Sequence, residues 1–116
     1  KNSATGGTTL AVNDAGTIKH LAQSGKANAT DGDTTPSVAG LHVIVLSQSS
    51  PTTITDFDDG VDGQVLYVHA DDNTDISDSG DITLDTGVTY TAGTGGGILT
   101  LLNIGGTWYE QSRTHF

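Results

Sequence analysis

The amino-acid sequence predicts an all-β fold, and three features carry that prediction. From Thr52 to Arg113, short apolar runs are fenced by Gly and Asp at near-even spacing, the pattern of brief strands joined by tight turns. Within those runs β-branched and aromatic residues are frequent, and such residues suit a pleated surface. Helical apolar spacing occurs only at Ile18, Leu21 and Ala22, where Gly16 and Gly25 leave too few residues for a stable helix. The expected architecture is a set of roughly nine short antiparallel strands in a β-sandwich or β-prism-like arrangement, with little or no helix.

Residues 1–34 read as a loop-rich segment with two short strands, Thr8-Thr9-Leu10-Ala11-Val12 and Thr17-Ile18-Lys19-His20-Leu21, on either side of an Asp- and Gly-containing gap that suits a hairpin turn. The composition from Gly25 to Thr35 is that of a flexible connector, and Pro36 extends the residue before it. A compact module is expected over 35–116. Leu41 to Leu46 is apolar on both faces apart from His42, as in a strand covered on both sides. Next come Thr53-Ile54-Thr55-Asp56-Phe57, a turn-rich stretch with four Asp, and Gln64 to Ala70. In that last strand Val65, Tyr67 and His69 face one way and Leu66, Val68 and Ala70 the other. Short strands are expected at Thr74-Asp75-Ile76 and Ile82-Thr83-Leu84. Ile98 to Leu102 is a buried strand, and Gly105-Gly106 turns the chain into Thr107-Trp108-Tyr109.

The composition limits what such a fold can be. The 116 residues make one domain or part of one, and since the first residue is Lys1 rather than Met, the chain is expected to be a fragment of a longer protein. Only 34% of residues are hydrophobic and 16 are Gly, so small residues stand where large ones ordinarily fill a core. Without Cys, the remaining ways to stabilise so thin a core are a metal or oligomerisation. In an oligomer, another copy could supply one cover of the doubly apolar strand. The net charge is −10, with neither Lys nor Arg between Lys26 and Arg113. A groove that tracks phosphates is excluded, acidic membrane surfaces would repel the chain, and no apolar run approaches the roughly 20 residues of a spanning helix.

The candidate chemistry is sparse. Asp71, Asn73 and Asp75 begin like an EF-hand loop, but Ile76 and Ile82 stand where Gly and Glu are needed. Calcium in another geometry leaves Asp56, Asp58, Asp59 and Asp62, or Asp71, Asp72 and Asp75, as candidate ligands beside the simpler reading of solvated turns. His42, which interrupts an apolar run, is a candidate metal ligand if a symmetry axis triples it, against the commoner hydrogen-bonded structural role. Trp108 and Tyr109 are candidates to stack on a sugar ring, against the commoner role of core anchors. No catalytic constellation is present: Asp78-Ser79-Gly80-Asp81 lacks the glycines of an oxyanion hole, and Gly93 to Gly97 is not followed by Lys-Ser/Thr. Leu41, Val43, Val45, Val65, Tyr67, Leu99, Leu101 and Trp108 are the expected core and inter-chain contacts.

Two pieces of the sequence carry a resemblance. Thr52-Thr53-Ile54-Thr55-Asp56-Phe57 with Gly60, Gly63 and Gln64, and Gly105-Gly106-Thr107-Trp108-Tyr109-Glu110-Gln111-Ser112-Arg113, resemble the C-terminal modules of tail fibres and tailspikes of tailed bacteriophages and prophages. The similarity covers Thr35 to Arg113, and the acidity between Asp56 and Asp85 departs from it. The resemblance implies a homotrimeric virion component, extracellular and distal, that registers three chains and binds a host surface glycan or surface protein. It also implies that any depolymerase activity lies in an upstream β-helix, so this chain would not be an enzyme and would require no cofactor. The alternative reading is a carbohydrate-binding or calcium-dependent adhesion module of a secreted bacterial protein.

Overall fold

A computed structural model describes residues 25–116; the strands expected at Thr8 to Val12 and Thr17 to Leu21 lie outside the described residues. Nine strands run in the order β1 (Gly25–Asn28), β2 (Leu41–Leu46), β3 (Thr52–Ile54), β4 (Val65–Ala70), β5 (Thr74–Ile76), β6 (Ile82–Thr83), β7 (Tyr90–Thr91), β8 (Gly97–Ile104) and β9 (Thr107–His115). The fold is all-β; the one helical element among the described residues is a single 3-10 turn, Asp85–Gly87. Six strands form one sheet in the order β1-β2-β4-β8-β9-β6, and three form a second, β3-β5-β7.

The expectation of antiparallel strands holds for only part of the structure. Among the described residues, β1 with β2, β2 with β4, β3 with β5 and β6 with β9 are parallel, while β4 with β8, β5 with β7 and β8 with β9 are antiparallel. The reason is the connectivity. After β2 the chain crosses to the small sheet as β3, returns to the large sheet as β4, and crosses again as β5, so each strand lies beside its counterpart from the previous circuit. Val43 then faces Tyr67 and Thr53 faces Asp75. A parallel pair needs a long crossover, and here that crossover is itself a strand of the other sheet. The hairpin at Gly105 and Gly106, both at positive φ (61° and 94°), then folds β8 and β9 back as an antiparallel pair.

Two further differences concern β1 and β2. Gly25 to Asn28, expected as connector, is an edge strand of the large sheet. His42 is the extra residue of a β-bulge, since Gly25 pairs with Leu41 and Lys26 with Val43. That bulge accounts for a polar ring inside an apolar run. Its Nδ1 lies 3.2 Å from the Gly25 carbonyl oxygen, which can only accept, so this nitrogen carries the proton.

One core joins both sheets. Ile44, Leu46, Leu66, Val68, Leu99, Leu101 and Trp108 from the large sheet and Ile54, Ile76 and Tyr90 from the small one are buried in a single cluster with Phe57. Trp108 is 1% exposed, and its indole N–H donates to the Phe57 carbonyl at 3.1 Å. Gln64, also buried, is fully satisfied: its amide donates to the carbonyls of Val38 (3.0 Å) and Leu41 (2.6 Å) and its oxygen accepts from Val61 N–H. It therefore ties three chain segments where an unpaired amide would be costly. Gly60 leaves room for the indole, because a Cβ there would come within 2.5 Å of Trp108 Cζ2 and 2.9 Å of Asn103 Nδ2. Gly60→Ala is expected to lower stability by about 1–3 kcal/mol through overpacking. Gly80→Ala, where nothing lies within 4 Å, should be neutral; urea denaturation of the two variants checks the contrast.

Candidate functional site

The outer face of the large sheet is the first feature of note. Parity and register place Lys26 on β1, Val43 and Val45 on β2, Val65, Tyr67 and His69 on β4, Ile98, Thr100 and Leu102 on β8, and Tyr109, Ser112 and Thr114 on β9 on this side, while Leu41, beyond the His42 bulge, packs against the core. Of the expected core and contact residues, Leu99, Leu101 and Trp108 are buried. Leu41, Val43, Val45 and Val65 are only partly covered, and Tyr67 is 43% exposed. Both faces of β2 had been expected to be covered; among the described residues one is. Lys26, Val43, Val45, Tyr67, His69 and Ile98 line a shallow depression of about 390 Å³ on the uncovered side. No Asp or Glu stands among these outer-face positions, although the chain has 14 acidic residues.

The expected metal ligands do not converge. Among the described residues no group of three or more His, Cys, Asp or Glu side chains is placed to hold an ion. The carboxylates instead accept hydrogen bonds, several of them from distant segments of the chain. Asp71 takes Gln48 N–H (2.6 Å) and the Thr74 hydroxyl (2.7 Å), Asp62 takes Gly105 N–H, Asp59 the Ser37 hydroxyl and Asp56 Phe57 N–H. Asp58 and Asp75 join no group of ligands, and His42 packs edge-on against Tyr67. Trp108, a candidate for sugar stacking, is buried and offers no face to a ligand, in keeping with the commoner role of core anchor; Tyr109, 41% exposed, does.

Asp56 is strained electrostatically. Its burial, with Asp81 and Asp58 nearby, holds its carboxyl above the usual range against the opposing hydrogen bond from Phe57 N–H. A folded value above the unfolded one means that ionised Asp56 costs stability near neutral pH and that this cost disappears as pH falls through the folded value. Asp56→Asn is therefore expected to raise Tm near neutral pH and to leave it unchanged in acid, as followed by circular dichroism.

The second feature is a polar groove of about 530 Å³ between residues 83–86 and 109–113. At its back, Glu110, with a side chain 3% exposed, receives both Arg113 Nε (2.7 Å) and a terminal nitrogen (2.6 Å). Asp85 N–H adds a third bond to the carboxylate. Arg113 also donates to the carbonyls of Val88 and Thr89 and lies 5.5 Å from the Tyr90 ring centre. Residues three apart on a regular strand face opposite ways. They meet here because Thr100 pairs with Ser112 but Leu101 with Glu110, which makes Gln111 the extra residue of a bulge. This arrangement escaped the sequence reading. The signal available was that Glu110 and Arg113 are the sole Glu and the sole Arg of the chain.

The hydrogen bonds from Arg113 hold the Glu110 carboxyl below the usual carboxylate range, against the opposing effect of burial. A depressed folded value stabilises the fold above the ordinary Glu range, and that stability is lost as pH falls through the folded value. Glu110→Gln should cost about 1–3 kcal/mol near neutral pH, the scale of a hydrogen bond to a charged group. It should also flatten the acid limb of a denaturation profile relative to the parent chain. Comparison with protein-family models, curated proteins and solved structures finds no match to this chain.

Proposed function

We propose that this chain is a structural and host-attachment module that assembles as a homotrimer, the role its sequence resemblance to phage tail fibre and tailspike modules implies, with an extracellular place on the virion. The observation that carries the reading is the outer face of the large sheet. A chain of net charge −10 repels copies of itself unless the meeting surface is free of carboxylates. This broad face of Val, Leu, Ile and Tyr meets that condition, and among the described residues Lys26 is its only Lys or Arg. Burying its β1, β2, β4 and β8 portion between copies, with β9 left free, would supplement a core of modest size. The groove beside Tyr109 suits the attachment half of the role, and it equally supports the alternative of a monomeric carbohydrate-binding module of a secreted bacterial protein.

Light scattering on a size-exclusion column separates the two. A mass three times the 11.8 kDa of the chain, unchanged by EDTA, is expected. Val43→Asp should give a folded monomer, because position 43 is on the outer face. Leu101→Asp should unfold the chain, because Leu101 is fully buried. A parent chain that is monomeric at all concentrations would overturn the trimer.

A further inference from the structure

Three irregularities of the fold meet at the groove beside β9. The strand β6 pairs for only two residues, Ile82 with Trp108 and Thr83 with Tyr109, and then leaves, so β9 from Glu110 onward has no strand on that side among the described residues. The chain departs through a turn closed by Val88 N–H donating to the Asp85 carbonyl, in which Thr86, a β-branched residue, is held at φ 54°. That region is unfavourable for a residue that carries a Cβ. The bulge at Gln111 lies directly opposite. A bulge, a strained residue and a broken strand pairing are each costly or disruptive, and such departures concentrate where a surface is built for a ligand.

From this convergence we propose that the groove is a binding site for a neutral oligosaccharide. The proposal rests on the attachment reading above for its biological role and specifies the chemistry of the ligand. The walls offer hydroxyl, amide and carboxylate groups from Thr83, Thr86, Ser112, Gln111 and Asp85, with the exposed ring of Tyr109 beside them. Donors and acceptors of both kinds around one aromatic platform match the alternating hydroxyls and C–H faces of a sugar. An anionic ligand does not fit, because the one guanidinium is already engaged by Glu110 and two carbonyls. An added polypeptide strand is the less favoured occupant. The open half of β9 carries the inward-facing pair Glu110 and Arg113, and inward charges are a device by which edge strands resist pairing with other chains. The volume of about 530 Å³ is within the range of small-ligand sites.

The test is a ¹⁵N–¹H correlation titration of the intact chain with galactose, N-acetylglucosamine and maltose, each to about 100 mM so that a millimolar site fills, with glycerol as the polyol control. Saturable shifts at residues 83–86 and 109–113, with at least one sugar and not with glycerol, are expected. In the double variant Gln111→Ala, Ser112→Ala, whose two side chains are exposed, the midpoint should rise at least tenfold while the remaining spectrum is unchanged. Absence of shifts with all three sugars overturns the proposal. So do shifts scattered over the surface, or a double variant that titrates like the parent. If the amides of 110–114 respond to protein concentration and not to sugar, the edge pairs with a strand and the saccharide site is likewise refuted. Mass by light scattering is read on the same samples: a monomer that binds sugar refutes the trimer alone, and a trimer that binds none refutes the groove alone.

Discussion

The fit of Trp108 against Gly60 is the contact on which the rest of the structure depends. The indole closes the core from β9, donates to the carbonyl of Phe57 and lies against a residue whose missing side chain is the space it occupies. Through it the 56–64 segment is fixed to the hairpin of β8 and β9, and Gly63 N–H donating to the Asn103 carbonyl, with Asn103 N–H returning to Gln64, seals the same junction. Gln64 then extends the tie to Val38 and Leu41. In a core this poor in large side chains, one well-fitted aromatic contributes a large share of the buried apolar area.

The same junction explains the motif that prompted the family resemblance. Ile54 and Trp108 are core residues, Phe57 presents the accepting carbonyl, Gly60 makes room, and Gly63 adopts φ 87° in the turn before Gln64. Gly105 and Gly106 form the hairpin, and Glu110 and Arg113 form the ion pair. Each of these positions has a structural task in this fold. The acidity is explained in a similar way: Asp33, Asp56 and Asp78 accept nearby backbone N–H groups, within local reach of a short carboxylate, while Asp31, Asp62 and Asp71 accept those of Ser49, Gly105 and Gln48 and so tie distant segments together.

What could be read from the sequence follows from which interactions are local. Alternation in 64–70 separated Leu66, Val68 and Ala70 from Val65, Tyr67 and His69 without saying which set is inside, and the Gly pair at 105 and 106 announced its hairpin, because period-two patterning and turn chemistry are written in adjacent residues. Parallel pairing was missed because it links Val43 to Tyr67 across an intervening strand, and nothing adjacent in sequence records that. The bulges at His42 and Gln111 were missed for a related reason: an inserted residue inverts the face of everything beyond it. This is why Val43 and Tyr67 could be named as important without their side of the sheet being known, and why the pairing of Glu110 with Arg113 contradicted simple alternation.

The position of Trp108 along the chain also has a consequence for the order of folding. Its hydrogen bond to Phe57 spans 51 residues, and the circuits of β2 to β5 enclose a core whose closing aromatic follows all of them in the chain. On a ribosome the two sheets emerge with their inner faces open, and they stay so until synthesis passes Trp108. Such an interval favours non-native strand pairing. The carboxylates crowded into the loops by then keep neighbouring nascent chains apart, so the charge that shapes the finished turns also guards the unfinished protein.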